Sequence, residues 1–318
     1  MKYCYVSLLY GDNQYFLGAM MLGFSLSKIY SIYDKVLMVT PDVPMKQRVI
    51  LAKYFIIIEV EYIDINPINF LIQNTRFSRI FTKLRLFELT TYDKVLFLDI
   101  DMFIIKNMDH LFNLSAPAGM LNGEYSLKTG DLISADNIKI INGRVKRNIN
   151  AGTLLIKPNK KEFELMMYEL STVLPYKLKS PEQEYLSYRY RNNWTYLEPK
   201  YNCQFGIPEY KTANSYTIHD IYNLHYSWIL NPWELVLENK KKVWTIIKKQ
   251  KRDETYYHLW VMHFEILYKF LQKDNINLLK LFKYDNTNTE KINSFFNKLS
   301  RTKISKSLKK SKKKRARI

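Results

Sequence analysis

The sequence predicts an α/β fold with a mainly parallel central sheet, a helical C-terminal extension and a disordered basic tail. Three observations carry this. Short runs rich in aromatic and β-branched residues alternate with helical stretches through the first half of the chain. Those runs are apolar at successive positions, the mark of strands covered on both faces. Glycine is scarce, nine in 318 residues, which disfavours a propeller or barrel built on many tight turns.

Taken in order, Tyr3–Leu9 is the first strand, and a loop through Gly11 and Asn13 leads to a helix over residues 17–29. That helix is apolar on nearly every face in its first half and is expected to be buried. Residues 35–40 form a second strand stopped by Pro41; Pro44 opens a helix, and residues 56–60 form a third strand. A helix over residues 77–89 places Ile80, Phe81, Leu84 and Phe87 on one face. Asp93 then starts the strand 94–99. Asn150-Ala151-Gly152 precedes another apolar strand, 153–156, ended by Pro158. From Val243 the pattern is helical and amphipathic, and after Ser300 it is low-complexity. This gives a main domain over 1–245, a helical extension over 246–300 and a tail over 301–318.

The formal charge is +19, but residues 301–318 hold ten Lys or Arg and no acid, leaving the body at +9. A basic body suits a polyanionic ligand such as a diphosphate, though charge alone does not separate that from nucleic acid or membrane. Cys4 and Cys203 lack metal-ligand spacing and imply no disulfide framework. The N-terminus reads as a strand rather than a leader, and no apolar run is long enough to span a bilayer, so a cytoplasmic location is expected. The richness in Lys, Ile, Asn and Tyr suggests an AT-rich genome, as in a virus or protist.

Asp99-Ile100-Asp101 ends an apolar strand, where ligands of open α/β sheets bind. If strand geometry persists, both carboxylates point to one side. Two hard oxygen ligands suit Mg²⁺ or Mn²⁺ shared with substrate phosphates. The motif alone is weak, and strand-end carboxylates capping a turn explain it as well. In a haloacid-dehalogenase-like phosphohydrolase, whose first Asp is the nucleophile, Thr or Val stands two residues after the second Asp, whereas Met102-Phe103 follows here.

Four blocks together are more specific. They are Tyr5 through Tyr10 with Tyr15 and Gly18-Ala19-Met20-Met21; Thr82-Lys83-Leu84 with residues 92–101 and Asn107-Met108-Asp109-His110-Leu111-Phe112; Asn150-Ala151-Gly152; and His225 before Pro232-Trp233. In this order they resemble glycosyltransferase family 8, the glycogenin and galactinol-synthase group, over roughly residues 3–235. The resemblance implies a GT-A fold, a UDP-sugar donor, Mn²⁺ (or Mg²⁺) and retaining transfer of a hexose or N-acetylhexosamine. It implies Asp99, Asp101 and His225 as metal ligands, with Leu9, Tyr10, Tyr15 and Ile100 around the nucleotide. Lys83 falls near the donor phosphates, Asn150, Ala151 and Gly152 at a turn facing the donor sugar, and Glu182 and Gln183 beside the reacting carbon.

Two positions depart from the family pattern: Trp228 stands for its Gly and Asn231 for its Lys. They keep open a nucleotide-sugar binder without turnover. The implied acceptor is a hydroxyl on a protein, on the chain itself or on a glycan, and a homodimer is an arrangement the sequence allows. A different reading makes residues 309–317 an electrostatic arm for nucleic acid or another anionic partner, although that tail has no interleaved aromatics for base stacking.

Overall fold

A computed structural model of the chain describes residues 1–11, 13–65, 69–70, 79–123, 126–204, 219–227, 231–233 and 254–273. It divides into two compact units, Met1–Ser227 and Trp228–Ile318.

In the first unit, strands β1 (Tyr3–Leu9), β2 (Asp34–Val39), β3 (Ile56–Glu59), β4 (Lys94–Leu98), β6 (Ala118–Leu121), β9 (Ile149–Ile156) and β10 (Thr195–Tyr196) make a seven-stranded sheet. Its order is β10-β6-β9-β4-β1-β2-β3. Every neighbouring pair is parallel except those of β9, which runs antiparallel to β4 and to β6. The mainly parallel sheet is therefore as predicted. Every residue of β1 is buried, which explains why its sequence does not alternate.

Helix α1 (Tyr15–Lys28) is buried continuously from Phe16 to Leu26, as its unbroken apolar character demands. Helix α2 (Met45–Leu51) follows Pro44. The helix predicted over 77–89 is described over Ile80–Glu88 and is of the 3₁₀ type. Its three-residue repeat stacks Phe81, Leu84 and Phe87, all buried, along one edge, and a 3₁₀ turn eclipses residues at that spacing. Lys83 is carried inward on a neighbouring edge. Helices α3 (Lys160–Ser171) and α4 (Pro181–Arg189) come later; Asn159 caps α3 by accepting from the Glu162 N–H.

A small second sheet, in order β11 (Cys203–Gln204), β12 (Asn223–His225) and β5 (Met102–Ile104), stands past the end of β4. Strands β7 (Lys139–Ile141) and β8 (Arg144–Lys146) form a separate hairpin. In the second unit, the helix α5 (Glu254–Lys273) packs Trp260 against Phe264 and Trp233. No helix among the described residues is long and apolar enough to cross a membrane. The tail 301–318 lies outside the described residues.

Candidate active site

Strand geometry does not persist through Asp99-Ile100-Asp101. β4 ends at Leu98, and a turn carries the chain into β5. The carboxylates converge for another reason. The Asp99 N–H donates to the Gly152 carbonyl at 2.9 Å, and the Tyr226 N–H to the Asp101 carbonyl at 3.0 Å. β12 pairs antiparallel with β5, setting His225 opposite Met102 and so beside Asp101.

His225 Nε2 lies 3.3 Å from Asp101 Oδ1 and 3.8 Å from Asp99 Oδ2. One ligand atom from each of the three residues falls within 4.8 Å of the others. On the far side of the ring, Nδ1 is 2.7 Å from Asn202 Oδ1. Because that oxygen can only accept, Nδ1 carries the hydrogen and Nε2 is the atom turned to the carboxylates. Asn202 Nδ2 in turn donates to Asn150 Oδ1 at 2.8 Å, which also accepts from the Gly152 N–H at 2.9 Å.

Gly152 sits where no side chain fits. A Cβ there would meet His225 Cε1 at 2.5 Å and Asn150 Oδ1 at 2.9 Å. Asn150-Ala151-Gly152 is not a turn ahead of its strand, as expected, but lies inside the eight-residue β9. Asn150 bends its side chain along its own strand, so the motif keeps the regular backbone of the sheet.

Lys83 Nζ is buried 3.0 Å from Asp99 Oδ1, 3.4 Å from Glu182 Oε1 and 3.2 Å from the Ala151 carbonyl. Burial by itself would discharge the ammonium, but Asp99 and then Glu182 outweigh it and raise its pKa. Glu182 opens α4, and burial lifts its pKa above the usual carboxylate range, against the pull of Lys83. Burial disfavours charge on His225 too, yet Asp101 and Asp99 hold its pKa above that of a free imidazole. Asp101 is displaced downward in return: burial would raise it, and His225 more than reverses that. The cluster thus attracts positive charge at Nε2, and its two carboxylates and one imidazole are a donor set that fits Mn²⁺ or Mg²⁺.

Asp99 and Asp101 border a cavity of about 310 Å³, which Leu8, Leu9, Tyr10, Asn13 and Tyr15 line together with Ile80, Lys83, Phe97, Ile100 and Glu182. Of the residues singled out from sequence, Asn150, Ala151, Gly152, Gln183 and His225 do not line it. They form the layer behind: Gln183 Oε1 accepts from the Ala151 N–H at 3.1 Å. Trp228 lies outside the described residues, and Asn231 belongs to the second unit.

Two residues were not foreseen. Asn13 fixes the cavity wall, accepting from the Tyr15 N–H and donating to the Tyr10 carbonyl, both at 2.9 Å. Its place in the Gly11-Asp12-Asn13 loop was a signal, since Asn favours such turns. Asn202, fully buried, had none.

The family model described as "Glycosyl transferase family 8" matches residues 7–236. An uncharacterized protein of Acanthamoeba polyphaga mimivirus, R707, is 38% identical over 287 residues, covering 87% of this chain and 99% of that protein. Galactinol synthase 1 of Solanum lycopersicum is 27% identical over 64% of this chain, which spans 65% of that enzyme. Among solved structures, the bifunctional glycosyltransferase WbbM superposes with a TM-score of 0.54 at 14% identity, over 84% of this chain and 51% of its own. GlyE of Streptococcus pneumoniae TIGR4 does so with a TM-score of 0.51 at 20% identity, over 86% and 64%. The fold of this chain is that of the GT-A glycosyltransferases.

Proposed function

The chain belongs to glycosyl transferase family 8, and from that premise we propose that it is a retaining transferase moving a hexose or N-acetylhexosamine from a UDP-sugar to a hydroxyl, with Mn²⁺. One observation supports this most: Asp99, Asp101 and His225 bring three ligand atoms within 4.8 Å of one another, with both carboxylates bordering the cavity.

In this reading Asp99 Oδ, Asp101 Oδ and His225 Nε2 would hold the metal. When bound, it supplies positive charge to the departing diphosphate. Asn202 keeps the imidazole in the tautomer that leaves Nε2 free to ligate. Lys83 adds a fixed cation on the same side, already charged and buried against Asp99. Leu9, Tyr10 and Tyr15 wall the space for the uridine, with Asn13 holding the two tyrosines in register. Glu182 faces the cavity and accepts from Lys83, which leaves its second oxygen to accept from a sugar hydroxyl. Gln183, behind the cavity wall and tied through Oε1 to the Ala151 N–H, would orient the sugar and acceptor by fixing the backbone at Ala151. The acceptor hydroxyl would attack the anomeric carbon from the face the nucleotide leaves, the C–O bond to the diphosphate breaking and the hydroxyl proton passing to the departing diphosphate oxygen, so that configuration is retained.

The test is turnover of a panel of UDP-sugars with Mn²⁺ and after chelation, read by UDP release and by intact-protein mass. The expected outcome is UDP release from one donor, abolished by chelation. A mass increase would identify the chain as its own acceptor, and tight UDP binding without release from any donor would overturn the transferase reading in favour of a nucleotide-sugar binder.

A further inference from the structure

The hairpin ahead of β9 carries a charge pattern that sugar transfer leaves unexplained. β7 and β8 pair with Lys139 opposite Lys146, Ile140 opposite Val145 and Ile141 opposite Arg144. Directly opposed residues share a face and neighbours along a strand alternate. One face is therefore Ile140 and Val145, packed into the main core. The other presents Lys139, Lys146, Ile141 and Arg144, with Ile141 48% exposed among the cations. Arg147, also exposed, follows at once.

Like charges directly across a ladder are destabilising. Little nearby offsets them. Asp136 approaches Lys139 at 3.5 Å, but both side chains are largely exposed and such a pair contributes little. Glu184, whose Oε2 accepts from the Lys179 N–H at 2.8 Å, attracts Arg144 and so offsets one of the cations, but it leaves the Lys139–Lys146 pair unrelieved. Lys146 and Arg147 have no ion pair among the described residues.

The hairpin stands near the cavity. Lys177 N–H donates to the Gly143 carbonyl at 2.9 Å, tying the hairpin turn to the segment that enters α4 at Glu182. From Lys177 to Glu182 the chain reaches at most about 18 Å at full extension. On the other strand, Arg147 leads straight into β9 and its Asn150-Ala151-Gly152.

An exposed apolar side chain ringed by cations suits a bilayer interface, where lipid phosphates meet the charges and the headgroup–acyl boundary takes the side chain. A soluble polyanion would match the cations but leave Ile141 in water. We propose that the β7–β8 hairpin docks on an anionic lipid bilayer. On the transferase reading above, this presents the acceptor hydroxyl at a membrane surface, within reach of the cavity.

The experiment uses the full chain with Ile141→Cys carrying an environment-sensitive fluorophore. Cys4 and Cys203 are both buried, so the label goes to the introduced thiol. Phosphatidylcholine vesicles are compared with vesicles containing phosphatidylglycerol. The expected result is a blue shift with the anionic vesicles only. Vesicle affinity should fall at least about tenfold in a Lys139→Gln, Lys146→Gln, Arg147→Gln variant, as expected when several surface cations are removed. Co-sedimentation without a shift at the label, and with full binding by the triple variant, would assign binding to residues 309–317 and overturn the proposal. So would an equal shift with heparin, or no vesicle binding at all. No donor or turnover enters the measurement, so its failure leaves the transferase reading untouched.

Discussion

The two ends of α4 each hold a knot of opposite charges, and the knots are built differently. At its last residue, Arg189 pairs with Glu162 at 2.9 Å and with Glu169, both from α3. The hydroxyls of Tyr185 and Tyr190 donate to Glu169 and Glu162, each at 2.7 Å. Every carboxylate there meets two fixed donors, and the arrangement ties one helix to the other. At the first turn of α4, Glu182 shares Lys83 with Asp99, while Asp101 faces His225. Three carboxylates there surround one permanent cation. A knot whose acids are each bonded by fixed donors locks structure; one whose carboxylates border a cavity is placed to take a further cation on the proposed reading.

The largest test of this contrast is Asp101→Ala. Sugar transfer should fall more than about 100-fold, beyond the loss expected for a residue that only orients a ligand. The melting temperature should fall by less than in Arg189→Ala, since the pairing lost is the one with His225 that, against the upward push of burial, depresses the Asp101 carboxyl. A normal rate of metal-dependent UDP release in this variant would break the comparison. Arg189→Ala should do the reverse. It strands Glu162 and Glu169, and urea unfolding should show a loss of about 2 kcal/mol, below the value for a fully buried pair since the partners are part-exposed. Transfer per folded molecule should be kept; its collapse would mean that the far end of α4 also serves the chemistry.

Asn202→Ala sharpens the distinction from the metal side. With Nδ1 released, Mn²⁺ affinity measured by calorimetry should weaken by about 10-fold or more, and stability should fall by about 1–3 kcal/mol because the buried His225 Nδ1–H loses its acceptor. The smallest effect belongs to Asp42, outside both knots, where Thr40, Tyr62 and the Gly11 N–H bond its carboxylate. Burial would raise its pKa, but these bonds bring it below the ordinary value. A depressed carboxylate contributes stability above its unfolded pKa and loses it as pH falls through the folded one. The deficit of Asp42→Asn in urea midpoint should therefore be present at about pH 6, above the unfolded pKa of an Asp, and disappear as the pH falls through the depressed folded value.

Much of this was legible because local chemistry dictated it. A run such as Val95-Leu96-Phe97-Leu98 has no stable place but a strand covered on both faces, so the sheet and the carboxyl end bearing Asp99 follow directly. The helicity of residues around Lys83 was visible too, but its type was not: periods of three and of 3.6 both fit Ile80, Phe81, Leu84 and Phe87, and buried Lys83 distinguishes them only in the fold. Convergence of Asp99 with Asp101 was expected from strand alternation and arises from a turn instead. What fixes the turn is the long-range pairing of β5 with β12, which no local pattern announces. Asn202 was beyond reach for the same reason: its work is done with His225 and Asn150, both distant in sequence.

Gly152 has one more consequence. The imidazole of His225 occupies the volume that any Cβ on that residue would claim, and the register of β9 on β4, with Leu98 opposite Thr153, is what puts the glycine there. Sliding β9 by one residue would bring Ala151 or Thr153 to the spot and push the ring aside. On the proposed metal reading, metal affinity becomes a gauge of strand alignment. A refolding chain should acquire tight Mn²⁺ binding only at the moment its central strands find their native offset, so that the ion reports assembly of the sheet as sensitively as it reports the site.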